Sequence, residues 1–129
     1  MAIQVKAVTL SSAQILLLTT TPQVVLAAAP AGYVHTILGI THKLNYNTIA
    51  YATAVSIDYY TDNKTNGIIF TDTSCFLQAA ATEKPARAST NSNTILSTAQ
   101  ALSVTANANP TAGNSTLTIY VIYEEKLLG

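Results

Sequence analysis

Gly32-Tyr33-Val34-His35-Thr36-Ile37-Leu38-Gly39-Ile40-Thr41-His42-Lys43-Leu44-Asn45-Tyr46 is the stretch that decides the fold. Val34, Leu38, Ile40, Leu44 and Tyr46 occupy even positions, with Thr36 and His42 between them. Tyr33, His35, Gly39, Thr41, Lys43 and Asn45 occupy odd ones, where Ile37 is the exception. A period of two belongs to a β-strand with one face on a core. Pro30-Ala31-Gly32 before the stretch and Asn45-Tyr46-Asn47 after it are turn formers. A strand is therefore predicted over 33–46.

The same reading extends outward. Ile3, Val5 and Ala7 alternate with Gln4 and Lys6, and Val24, Val25 and Leu26 lie in a second short run at 23–27; both read as strands. Residues 12–18 read as one helical turn or a short buried strand, which four apolar residues cannot arbitrate. A strand is predicted over 50–60, with Val55, Ile57 and Tyr59 inward and Ser56, Asp58 and Tyr60 outward. Residues 61–67 have hairpin-loop composition, and Ile68-Ile69-Phe70 returns as the partner. A helix is expected over 73–83, capped by Ser74, with Phe76, Leu77 and Ala80 on one side. Residues 86–94 read as loop with room for an edge strand. Leu102, Val104 and Ala106 share one face of a further strand, and 107–114 is a dense turn cluster. In the last strand, 115–125, Leu117, Ile119, Val121 and Tyr123 oppose Thr118, Tyr120 and Glu124, and Ile122 breaks the polar face. Seven or eight short strands without alternating helices predict an all-β fold. The expected form is an antiparallel β-sandwich, jelly-roll-like, with at most one short helix, as a single domain over 1–129.

Charged residues make up only 9% of the 129, against about 25% in an average soluble domain, while 49% are apolar and the formal net charge is zero. Such a surface is poorly protected against self-association, and a homo-oligomer is expected. Lys6, Lys43, Lys64, Lys84, Arg87 and Lys126 are scattered and matched by six acids, so no nucleic-acid partner is expected. Cys75 is the one cysteine, which excludes an intrachain disulfide and a cysteine metal site and suits a reducing site of synthesis. The run Ile15-Leu16-Leu17-Leu18 is cut short by Thr19-Thr20-Thr21-Pro22. It reads neither as a signal peptide nor as a membrane span, and no membrane partner is expected.

Reactive chemistry is sparse. His35 and His42 are seven residues apart in one predicted strand, so they are expected on opposite faces, with no carboxylate beside either in sequence. No metal site follows. Asp58, Asp62, Asp72, Glu83, Glu124 and Glu125 form neither a calcium-loop pattern nor an evident acid–base pair. No G-x-S-x-G is present, and Gly32, Gly39, Gly67, Gly113 and Gly129 are isolated, so no nucleophile elbow or phosphate loop exists. Asn63-Lys64-Thr65 and Asn114-Ser115-Thr116 match a glycosylation pattern common by chance in an Asn/Thr-rich chain. No catalytic residue, no cofactor and no enzymatic activity are expected. Tyr46, Tyr51, Tyr59 and Tyr60 could serve as stacking platforms for a carbohydrate, or as sheet and interface packing.

Two segments carry a resemblance. Gly32-Tyr33-Val34 through Asn45-Tyr46-Asn47-Thr48-Ile49-Ala50-Tyr51-Ala52, and Asn109-Pro110-Thr111-Ala112-Gly113-Asn114-Ser115-Thr116-Leu117-Thr118-Ile119-Tyr120-Val121, resemble segments of small virion proteins of tailed bacteriophages. The resemblance covers roughly the middle third and the last strand and carries over no functional residue. It implies a capsid decoration or head-fibre protein, commonly a trimer, in contact with other virion proteins such as the major capsid protein. Such a protein would assemble in the host bacterial cytoplasm and reside in the virion. The alternative reading is a receptor- or carbohydrate-binding module of a phage tail or fibre.

Overall fold

The computed structural model describes residues 3–52, 56–61, 68–73, 80–88, 95–96 and 100–128. Among the described residues, ten strands and one helix follow in the order β1 (Ile3–Leu10), α1 (Ser12–Leu16), β2 (Gln23–Leu26), β3 (Tyr33–Asn45), β4 (Ser56–Thr61), β5 (Ile68–Thr73), β6 (Thr82–Pro85), β7 (Arg87–Ala88), β8 (Ile95–Leu96), β9 (Leu102–Ala106) and β10 (Thr116–Leu127). They form two sheets, the first in the order β1-β10-β3-β6 with β8 also on β3, the second β2-β9-β4-β5-β7. Every ladder is antiparallel. The fold is an all-β sandwich.

Alternation builds the core. Leu117, Ile119 and Val121 of β10 stand opposite Leu44, His42 and Ile40 of β3, and all six are buried. From the other sheet Ile57 and Tyr59 of β4, Phe70 of β5 and Leu102, Val104 and Ala106 of β9 meet them, with Leu10, Ile15 and Leu18 closing one side. Each such aliphatic side chain contributes about 1.5–3 kcal/mol relative to exposure. The ambiguous 12–18 segment is helical at its start. Ser11 accepts from the Gln14 amide while the Gln14 side chain accepts from the Ser11 amide, a reciprocal cap that favours the helical turn.

The central strand departs from strict alternation. Ile122 pairs with Gly39 and Tyr123 with Ile37, so Leu38 is one residue too many on β3. A bulge of this kind shifts the side-chain parity by one. Leu38, expected inward, is 46% exposed, and Ile37, the misfit of the sequence pattern, is buried. The expectation that His35 and His42 point apart is overturned for the same reason: both are buried, at 4% and 0% exposure.

Three further expectations are corrected. The helix expected over 73–83 does not reach its end, because 82 and 83 lie in β6, paired to Leu44 and Lys43 of β3; residues 74–79 fall outside the described residues. Sheet pairing there overrides local propensity. Asp58 and Tyr60, expected outward, are both buried, and a shift in the β4–β5 register falls between Tyr59 and Tyr60. At the start of the strand expected over 50–60, residues 50 and 51 are not in a strand and Ala52 forms only an isolated bridge with Thr111; residues 53–55 fall outside the described residues, and β4 is described over Ser56–Thr61.

Candidate interaction surface

The most concentrated chemistry lies between the sheets. His42 on β3 reaches Tyr59 Oη on β4 through Nδ1 at 2.9 Å and Asp72 Oδ2 on β5 through Nε2 at 3.1 Å. An ionised Asp72 only accepts, so Nε2 carries a proton. The Tyr59 hydroxyl then donates to Nδ1 of a neutral ring or accepts from a protonated one, and both states are satisfied. The His42 and Tyr59 rings lie nearly parallel, 14° apart. Tyrosine, histidine and aspartate in this order resemble an activated hydroxyl, but Tyr59 and His42 have no exposed surface for a substrate to meet. The cluster instead ties one sheet to the other, and its acid comes from 30 residues away in the chain.

His35 makes a second pair, its Nε2 3.0 Å from Glu125 Oε1, with the Tyr123 ring edge-on at 4.8 Å. Its Nδ1 is buried without a hydrogen-bond partner. Both histidines thus acquire carboxylates that no sequence neighbourhood announced. Among the described residues no three His, Cys, Asp or Glu side chains converge as metal ligands. Asp58 accepts from Thr71 Oγ1 at 2.7 Å and Ser56 Oγ at 3.2 Å, so hydroxyls surround it. Asp62, Lys64 and Cys75 fall outside the described residues.

The tyrosines do not form a platform. Tyr51, Tyr59 and Tyr60 are buried, and Tyr46 is half-buried with its hydroxyl donating to Thr48 O at 2.7 Å. Burial pushes the Tyr51 phenol up to about 12 and raises Tyr60 as well, and the Tyr51 hydroxyl donates to the Ser115 carbonyl. The turn cluster 107–114 is tied to the fold by two asparagines. Asn109 Oδ1 accepts from the amides of Thr19 and Thr20, and Asn114 Oδ1 from those of Thr48 and Ile49.

What remains open is apolar surface. On the outer face of the first sheet Val5 pairs with Ile122 and Ala7 with Tyr120, and Ile3 and Val5 are 64% and 61% exposed. Val5, Tyr120 and Ile122, with Thr41, Lys43 and Glu83, line a shallow groove of about 410 Å³. Leu127 and Leu128 at the end of β10 are also exposed. Large apolar residues gathered on one face mark a contact surface more than a solvated one. No helix among the described residues is long and apolar enough to cross a membrane.

No family model and no curated protein matches the sequence. A chain in the solved structure "Cyanophage Pam1 capsid asymmetric unit" does match in three dimensions, with a TM-score of 0.53 and 18% identity over 99% of this chain and 84% of that one. The two chains share a fold. The likeness runs through both sheets rather than through one motif, and the coverage makes the two chains similar in length.

Proposed function

We propose that this chain is a structural protein of a bacteriophage virion, a capsid decoration or head-fibre component that works by assembly rather than catalysis. The observation that carries the reading is the end-to-end likeness to a chain of a phage capsid asymmetric unit. The strand order supports a jelly roll: β1-β10-β3-β6 in one sheet and β2-β9-β4-β5 in the other is the interleaving that two Greek keys produce, an architecture used in viral capsid domains. The surface supports it too. A chain with 9% charged residues and exposed Ile3, Val5, Leu127 and Leu128 is suited to burial against neighbours. Its partners in this reading are copies of itself, with a trimer favoured, and other virion proteins such as the major capsid protein. Its location is the virion, after assembly in the host bacterial cytoplasm, and the whole of 1–129 acts as one domain. The carbohydrate-binding alternative loses ground because three of the four tyrosines proposed as platforms are buried.

Immunogold labelling of intact phage particles with an antibody to this chain tests the reading. Label on the head surface is expected. Label confined to the tail or fibre tips would favour the receptor-binding alternative, and particles lacking the chain by mass spectrometry would overturn both.

A further inference from the structure

We infer that two copies of this chain join edge to edge through β1, their first sheets running on as one across a two-fold axis at Val5. Among the described residues β1 pairs only with β10 and ends the first sheet. Neighbours on a strand point to opposite faces, yet Ile3, Gln4, Val5, Lys6 and Ala7 are all exposed. This half of β1 is bare on both faces. The ladder fixes where its backbone groups point. The Ala86 amide donates to Ile40 O at 2.8 Å, so Ile40 bonds toward β6. Its neighbours Gly39 and Thr41 then bond toward β10, opposite Ile122 and Tyr120. Val121 and Tyr123 of β10 bond the other way, to Lys6 and Gln4 of β1. The N–H and C=O of Ile3, Val5, Ala7 and Thr9 are left pointing to the open edge. Another extended strand is what such backbone recognises.

A second β1 is the strand that fits. Edge strands are commonly guarded by proline, a bulge or repeated charge, whereas β1 has no proline, no register shift and one charge, Lys6. That charge selects the register. An antiparallel pair centred on Lys6 would set two ammonium groups face to face. Centring on Val5 sets Val5 against the partner's Val5, Ile3 against the partner's Ala7, and Lys6 against the partner's Gln4, which is uncharged. The three edge-facing pairs supply about six backbone hydrogen bonds. The side chains of Val5 and Ala7 share the outer face with Ile122 and Tyr120, so the apolar strips of the two copies become continuous. The contact is isologous, giving a dimer or, in the trimeric reading, a link between two trimers. It goes beyond the virion reading and stands on strand geometry alone.

Sedimentation of the purified full-length chain over a concentration series tests this. A single strand junction is a small interface, so wild type is expected to double its mass reversibly as concentration rises. V5P and A7P each remove one edge-facing N–H and no bond to β10. Each should raise the dissociation constant at least about tenfold, with circular dichroism that of the wild type. Q4E keeps the fold and sets a carboxylate against the partner's Lys6 twice per pair, which should tighten association about two- to tenfold. In a C75A background, mild oxidation should cross-link V5C, whose Cα atoms face each other about 5.5 Å apart. It should not cross-link K6C, whose Cα atoms lie beyond the reach of about 7 Å. No doubling up to millimolar concentration, doubling unchanged in V5P and A7P, or cross-linking of K6C in place of V5C overturns the junction. Any of these leaves the virion reading standing, because particle labelling decides that separately.

Discussion

The ring of Tyr51 lies flat against the backbone of Gly113, so close that a Cβ at 113 would overlap the ring's Cδ1 and Cε1. Gly113 also sits at φ +82°, after Ala112 at +56°. The Tyr51 hydroxyl donates to the Ser115 carbonyl two residues on. G113A adds left-handed strain to a clash with a packed ring, and is expected to cost roughly 2–4 kcal/mol. A112G at the neighbouring left-handed position should be neutral or stabilising by up to about 1 kcal/mol. Urea denaturation of the two variants checks the contrast.

Tyr51 also sets an alkaline limit. Its phenol is neutral in the fold up to about pH 12 because burial disfavours the phenolate, against an ordinary value of 10.0. The unfolded chain therefore ionises first. Stability is flat below pH 10 on this account and falls as pH rises from 10 toward 12, since only the unfolded state gains from deprotonation in that window. Tyr60 shifts in the same direction and adds to the fall. Denaturant midpoints between pH 8 and pH 12, with Y51F as the comparison, should show a shallower alkaline fall in Y51F.

The His42–Asp72 bridge should behave as a coupled pair. H42L removes the donor facing a buried carboxylate and is expected to cost about 3 kcal/mol. In H42L/D72L the charge is gone with its partner, so the double variant should be less destabilised than the sum of the singles, by roughly 1–3 kcal/mol. A double-mutant cycle from equilibrium unfolding measures this.

Asn114 holds the 47–52 segment by two amide donors and by its own Nδ2, which donates to Thr48 Oγ1 at 2.7 Å. N114A is expected to cost about 1–3 kcal/mol. Hydrogen exchange should accelerate first at the amides of Thr48 and Ile49.

Leu38 can be deleted. Without it Gly39 still faces outward and Ile37 inward, because the bulge is what separates them in the ladder. The ΔLeu38 chain should fold with its core intact, whereas deleting Thr41, a paired residue in the middle of the ladder, shifts one part of β3 onto the wrong face. Thermal unfolding with near-ultraviolet circular dichroism distinguishes the two.

The sequence by itself determined the fold class. Alternation in 33–46, 101–107 and 115–125 names Ile40, Leu44, Leu117, Ile119, Val121, Leu102 and Val104 as core, and all are buried, because apolar periodicity is the local trace of a face removed from water. Tertiary structure decided what periodicity cannot carry. A one-residue bulge at Leu38 inverted part of the central strand and buried His35. The carboxylates of Asp72 and Glu125 reached the histidines from 30 and 90 residues away. β6 formed where local propensity favoured helix, since its pairing with β3 satisfies backbone groups on both strands. The groove, too, exists only because β1, β10, β3 and β6 lie side by side. Its residues are scattered from Val5 to Ile122, and no local pattern joins them.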